Sequence, residues 1–255
     1  MKVLLVQSDI KWQSREENLI HIEKLLENSS PSDLIILPEM FTTGFCTSPK
    51  GAAEEADSKT LEWMQWMAEK KDAAIAGSVA THENEKYYNR FYFVKPDGAY
   101  TTYNKRHLFT FAGEDKEYTG GKERVIVEFM GFRILLQVCY DLRFPVFSRN
   151  RKDYDMIIYV ANWPIPRIDA WNALLRARAI ENVCYVAAVN RVGDDPYVKY
   201  NGGTVLLDYL GKDIKAAEFG KEEYIAGDVE IESLNEFRLK FPALNDADQF
   251  EITNL

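Results

Sequence analysis

The sequence predicts an α/β or α+β fold in which helices cover the faces of β-sheets. Apolar runs of about four to eight residues, each bounded by breakers, recur along the chain and read as buried strands. Stretches with helical spacing of apolar residues separate several of them. Turn signals between neighbouring runs add hairpins, so the sheets are mixed rather than purely parallel.

Residues 3–6 form the first buried strand. Ser14-Arg-Glu-Glu17 has capping-box spacing, and Leu19, Ile22, Leu25 and Leu26 then share one helical face; His21 lies off it and is expected at the surface. A second apolar run, 34–37, is stopped by Pro38 and leaves Glu39 at a strand end. Leu61, Met64, Met67 and Ala68, with Trp63 and Trp66 beside them, give a second helix. Residues 73–79 make a third strand, and 88–94 and 99–103 flank the turn Pro96-Asp97-Gly98. Residues 110–121, rich in Gly and charge, are long enough for a functional lid. Residues 125–129 and 132–138 form a hairpin around Met130-Gly131 and lead into Cys139. Residues 155–160 are another buried strand, followed by a helix marked by Trp171, Leu174, Leu175 and Arg178 that ends near Asn182. The strand 183–189 contains Cys184, an inert core thiol by its apolar neighbours. Residues 190–203 read as a polar loop, 204–207 and 224–229 as closing strands, and 236–250 as an amphipathic tail ending irregularly. With no repeat, low-complexity segment or linker, a single domain over 1–255 is expected.

Composition narrows the function. The 255 residues are 46% apolar and 28% charged, ordinary for a globular protein, and the net charge of −9 argues against a nucleic-acid surface. Three widely spaced Cys make no disulfide framework and suit a reducing compartment. The first apolar run is too short for a signal-peptide core, and no run reaches the roughly eighteen residues of a membrane span. A soluble, cytoplasmic protein is expected. The three His are dispersed, so neither a metal nor another cofactor is implied.

The chemistry centres on the strand that runs into Cys139, with Pro145 suited to the first turn of a helix just beyond. A thiol at such a turn can face a cleft with backbone N–H groups close by. Glu39 and Lys105 also follow directly on strands, at the edge where open α/β sheets bind ligands. Each position alone equally suits a solvated loop charge. A rival thiol chemistry pairs Cys139 with His107 as base.

Together these positions and their flanks resemble the carbon–nitrogen hydrolase (nitrilase) superfamily. The matching stretches are Leu-Pro-Glu39-Met-Phe, Tyr-Asn-Lys105-Arg-His-Leu-Phe and Val-Cys139-Tyr-Asp-Leu-Arg-Phe-Pro, continued by Ala161-Asn-Trp-Pro, Ala177-Arg-Ala-Ile-Glu-Asn182 and Asn190-Arg-Val-Gly193. The resemblance implies a four-layer α-β-β-α sandwich, a homodimer, and a Glu39–Lys105–Cys139 catalytic triad. It also implies a lid glutamate, matched by Glu114 with Glu117 as fallback, and an oxyanion donor at the backbone N–H of Tyr140. Within the superfamily the chain is similar to ω-amidases, which hydrolyse the terminal amide of α-keto acid amides such as 2-oxoglutaramate or 2-oxosuccinamate. Such a substrate carries a carboxylate that needs a cationic partner. Arg143 is the candidate, against a structural ion pair with Asp141 or a lid acid; Phe41, Phe109 and Trp163 are candidates to line the pocket. Hydrolysis of N-carbamoyl compounds, of other small amides or of nitriles, and a catalytically silent binding protein, are the alternatives.

Overall fold

The computed structural model describes residues 1–253. In chain order its elements are β1 (Lys2–Gln7), α1 (Arg15–Glu27), β2 (Leu34–Ile36), β3 (Glu54–Glu55), α2 (Lys59–Lys71), β4 (Ala74–Glu83), β5 (Lys86–Val94), β6 (Tyr100–Asn104), α3 (Glu114–Glu117), β7 (Ile126–Phe129), β8 (Phe132–Val138), α4 (Pro145–Ser148), β9 (Met156–Ala161), α5 (Ile168–Asn182), β10 (Tyr185–Asn190), β11 (Val192–Asp194), β12 (Lys199–Asn201), β13 (Val205–Leu207), β14 (Asp213–Ala216), β15 (Glu223–Asp228) and α6 (Ile231–Lys240). One sheet runs β15-β1-β2-β4-β5-β6, with β3 on β4; the other runs β14-β13-β10-β9-β8-β7.

The apolar runs are continuous because both faces of each sheet are covered. Along β1, Val3 and Leu5 point into a core shared with Leu136, Val138, Ile158, Val160 and Ala187 of the second sheet. Leu4 and Val6 point the other way, to Ile22 and Leu26 of α1 and Met64, Met67 and Ala68 of α2. The second sheet does the same: Leu135, Ile157, Tyr159 and Val186 pack under Trp171, Leu175 and Ala179 of α5. The order is therefore helix, sheet, sheet, helix, a mixed α/β four-layer arrangement. Among the described residues no helix is long and apolar enough to cross a membrane.

Several local expectations change. Ser14 makes no side-chain cap on α1; instead the buried Asn18 closes the preceding turn, accepting from the Lys11 N–H and donating to the Lys11 and Thr42 carbonyls, all at 2.8 Å. His21 is partly buried and meets Glu222 at 2.6 Å. The expected polar loop 190–203 contains the β11–β12 hairpin. The first part of the tail is a regular helix, α6, whose Leu234 is buried.

The two sheets present their strand ends to one edge. β1, β2 and β4 are parallel, and β6 returns to the same direction after the antiparallel β5. β8, β9 and β10 are likewise parallel. Glu39 follows β2, Lys105 follows β6, Cys139 follows β8 and Asn162 follows β9. Because Leu136 is fully buried between the sheets that carry these ends, Leu136→Ala should destabilise the protein by about 2–5 kcal/mol. In a thermal melt the midpoint should fall by roughly 4–20 °C.

Candidate active site

Glu39 sits in the turn that ends the second strand, where Leu37 N–H still bonds Ala76 O before Pro38 stops the ladder. The next residue, Met40, is left-handed at φ 43°. Its N–H donates to Ser78 Oγ at 2.9 Å, and Ser78 donates to Asn89 Oδ1 at 2.8 Å. That fixes the Asn89 amide so that Nδ2 donates to Glu39 Oε1 at 2.7 Å and approaches Glu114 Oε1 at 3.3 Å. The other Glu39 oxygen is held across the sheets: Asn162 N–H donates to Oε2 at 2.8 Å, and Asn162 Nδ2 to the Glu39 carbonyl at 2.6 Å.

Lys105 is fully buried with its Nζ 3.1 Å from Glu39 Oε1 and 3.0 and 2.9 Å from the two oxygens of Glu114. Its backbone is pinned on both sides, N–H to Asn89 O and carbonyl from Gly121 N–H, each 2.9 Å. Gly121 has no room for a side chain, since a Cβ there would lie 2.1 Å from Asn104 O. Glu114 is also buried and accepts from Phe109 N–H at 2.6 Å, whereas Glu117 on the same short helix is exposed. Burial would discharge Lys105, but the charges of Glu114 and Glu39 outweigh it and hold the ammonium above its ordinary pKa. Burial raises the Glu114 carboxyl, Lys105 opposes it, and the neighbouring Glu39 charge adds to the rise.

Cys139 ends the eighth strand in a left-handed conformation, φ 45°, and opens a short 3-10 turn over Cys139–Arg143. For a residue with a Cβ such a conformation costs on the order of 1–3 kcal/mol and persists only where the surroundings impose it. Here Asp141 imposes it, fully buried, with Oδ2 accepting from Val138 N–H at 2.9 Å and from Tyr103 OH at 2.8 Å. Its Oδ1 faces His107, 2.8 Å from Nδ1 and 3.0 Å from the backbone N–H. His107 thus stacks on Phe144 at 4.0 Å between ring centres and braces the turn from behind; it does not line the cavity. The Cys139 thiol is pushed well above its ordinary pKa, first by burial and then by the Glu39 charge, with Lys105 opposing. The sulfur thus lies beside Glu39, an arrangement in which attack and proton transfer can occur together.

A cavity of about 440 Å³ opens onto Cys139 and Lys105. Phe109, Tyr140, Arg143 and Trp163 line it; Phe41 does not. Phe41 is fully buried in the core under the second helix, 6.0 Å from the Trp63 ring, and Phe45 takes the place at the cavity wall. Arg143 makes no ion pair with Asp141, whose oxygens are occupied; its guanidinium lies 5.0 Å over the Trp163 ring. Asn89, Asn162 and Arg167 escaped the sequence reading. A lone Asn among the aromatic residues of the fifth strand was the available signal for Asn89, and Asn162 lies within the Ala161-Asn-Trp-Pro stretch.

The fold is that of several known enzymes. A family model described as carbon–nitrogen hydrolase matches residues 2–239. An omega-amidase of Yersinia enterocolitica is 47% identical over 98% of both chains, and a 2-oxoglutaramate amidase of Bacillus subtilis 34% identical over 94% of this chain and 95% of its own. The crystal structure of XC1258 from Xanthomonas campestris, described as a CN-hydrolase superfamily protein with an arsenic adduct in the active site, superposes with a TM-score of 0.96 at 43% identity, covering 99% of this chain and 98% of that one. Fold and relatives together define an amide-hydrolysing enzyme. The chain belongs to the carbon–nitrogen hydrolase family.

If the Glu39 charge helps to hold the thiol protonated, its removal should ease ionisation. Following thiolate absorbance against pH, Glu39→Gln should titrate Cys139 at lower pH than the wild type, because Lys105 then acts with less opposition.

Proposed function

We propose that the protein hydrolyses the terminal amide of a small α-keto acid amide, such as 2-oxoglutaramate or 2-oxosuccinamate, through a Cys139 thioester. The observation that carries this reading is the fully buried contact of Lys105 with both Glu39 and Glu114 at the floor of the cavity that holds Cys139.

An amide is a poor electrophile with a poor leaving group, and a covalent intermediate divides its cleavage into two easier steps. Glu39 takes the thiol proton as the sulfur attacks the amide carbon. The cluster demands this: two carboxylates already face one ammonium, so a free thiolate would add a second uncompensated negative charge. The tetrahedral oxyanion is held by Lys105 Nζ and by the Tyr140 N–H, which sits in the first turn of a helix and has no intrahelical acceptor. One donor of this kind is typically worth about 2.7–4 kcal/mol. Glu39 then passes the proton to departing ammonia and later takes one from the water that attacks the thioester. Glu114 keeps Lys105 charged and aimed. Arg143 pairs with the substrate carboxylate, while Phe109 and Trp163 enclose the carbon chain.

The relatives' names support the keto-acid amide over N-carbamoyl substrates and nitriles. The homodimer and the cytoplasmic setting belong to the same reading. Val146, Ile180 and Leu210, each about half exposed, offer apolar surface for a second copy. The deciding assay is ammonia release from 2-oxoglutaramate, N-carbamoyl amino acids and nitriles. Wild type should prefer the first, and Cys139→Ala should release none. Turnover should fall by roughly 10²–10⁴-fold in Glu39→Gln, the range of a lost general base, while His107→Gln retains substantial activity. The reverse ranking would favour Cys–His chemistry.

A further inference from the structure

We propose that Arg167 is a second specificity-determining cation, acting with Arg143 to receive the carboxylate end of the substrate opposite Cys139. This rests on the amide hydrolysis proposed above and adds a residue to it.

Most arginines folded against this protein are matched by an acid: Arg90 by Glu83, Arg133 and Arg238 by Asp155, Arg178 by Glu181, Arg191 by Asp9. Arg143 and Arg167 break the pattern. Both line the cavity, and among the described residues neither guanidinium has an ion pair. Each lies over an aromatic face, Arg143 over Trp163 at 5.0 Å and Arg167 over Phe109 at 5.2 Å. Asp195 also lines the cavity but forms no ion pair with either arginine. Its oxygens accept from Tyr197 and Val198 N–H at 2.7 and 2.8 Å and from Tyr200 OH at 2.6 Å.

Arg167 is held in place. Its carbonyl accepts from Trp163 Nε1 at 2.6 Å, so one indole anchors the Arg167 backbone while its face carries Arg143. The rings confine the two guanidiniums without using their N–H donors, which stay free for a planar, bidentate acceptor such as a carboxylate. The charges are also graded. The floor holds two carboxylates and one ammonium, a net negative charge, and the wall two arginines and the single carboxylate of Asp195, a net positive one. An anionic amide entering this field is favoured with its carboxylate toward the arginines and repelled in the opposite orientation, which directs the amide carbon to the sulfur.

The test uses three five-carbon amides: pentanamide, which is neutral, glutaramate, which adds the carboxylate, and 2-oxoglutaramate, which adds the keto group. Arg167→Gln should lower kcat/KM for the two carboxylates by about 10- to 100-fold, chiefly through KM, the range of a lost hydrogen bond to a charged group. Pentanamide turnover should stay within about twofold, which also reports that the variant is folded. Arg167→Lys should recover part of the loss. An equal fall on all three amides would show a merely structural role, and unchanged carboxylate kinetics would remove Arg167 from the subsite; either overturns the inference. A wild-type enzyme that cleaves pentanamide better than both carboxylates would overturn the keto-acid reading as well, a pattern separate from any effect of Arg167.

Discussion

Burying two carboxylates around a single ammonium is the constraint on which the rest of this structure depends. Charges removed from water are costly unless paired and hydrogen-bonded at close range. Lys105 alone cannot satisfy four carboxylate oxygen positions, so neutral donors complete the set: Asn89 from the fifth strand, Asn162 from beyond the ninth, and the Phe109 backbone. These donors come from both sheets. The fold must therefore bring two sheets face to face with their strand ends in register before the charges can be accommodated at all.

That requirement gives meaning to features remote from the sulfur. The inter-sheet core fixes the distance across which Asn162 reaches Glu39. Gly121 lets the end of the lid segment lie against the sixth strand, so that the segment carrying Glu114 is stitched to the backbone of Lys105. Asp141, His107 and Tyr103 set the turn after the eighth strand, and they do so from the side away from the cavity. The four contacts made by Asp141 replace the backbone preference that a left-handed cysteine lacks.

The two-sided burial of the strands was legible in the sequence because runs such as 3–6 and 134–138 lack the polar alternation of a half-exposed sheet. Helices with clear faces, and hairpins with Pro96-Asp97-Gly98 or Met130-Gly131, were legible for the same reason: local rules agree with the global fold. What failed locally was set by distant partners. Ser14 loses its cap because Asn18 already closes that turn. The β11–β12 hairpin has short strands and little apolar pattern. Phe41 was a candidate for the pocket wall, yet the left-handed Met40 before it turns the chain, and Phe41 enters the core. Glu39, Lys105 and Cys139 could be marked as strand-end groups, but their mutual distances depend on sheet pairing that periodicity does not encode. Arg167 was invisible for a different reason: its interest lies in the acid it lacks.

The upward shift of the Cys139 thiol bears on more than amide cleavage. Peroxide and simple alkylating agents react with thiolate, and under oxidative stress an ionised, accessible cysteine is readily carried on to sulfinic acid. Burial, and then the Glu39 charge, push the Cys139 thiol well above its ordinary pKa, which leaves less thiolate for those reagents. The Glu39 charge that pushes the Cys139 thiol upward in pKa thereby also disfavours the form of the sulfur that such reagents attack.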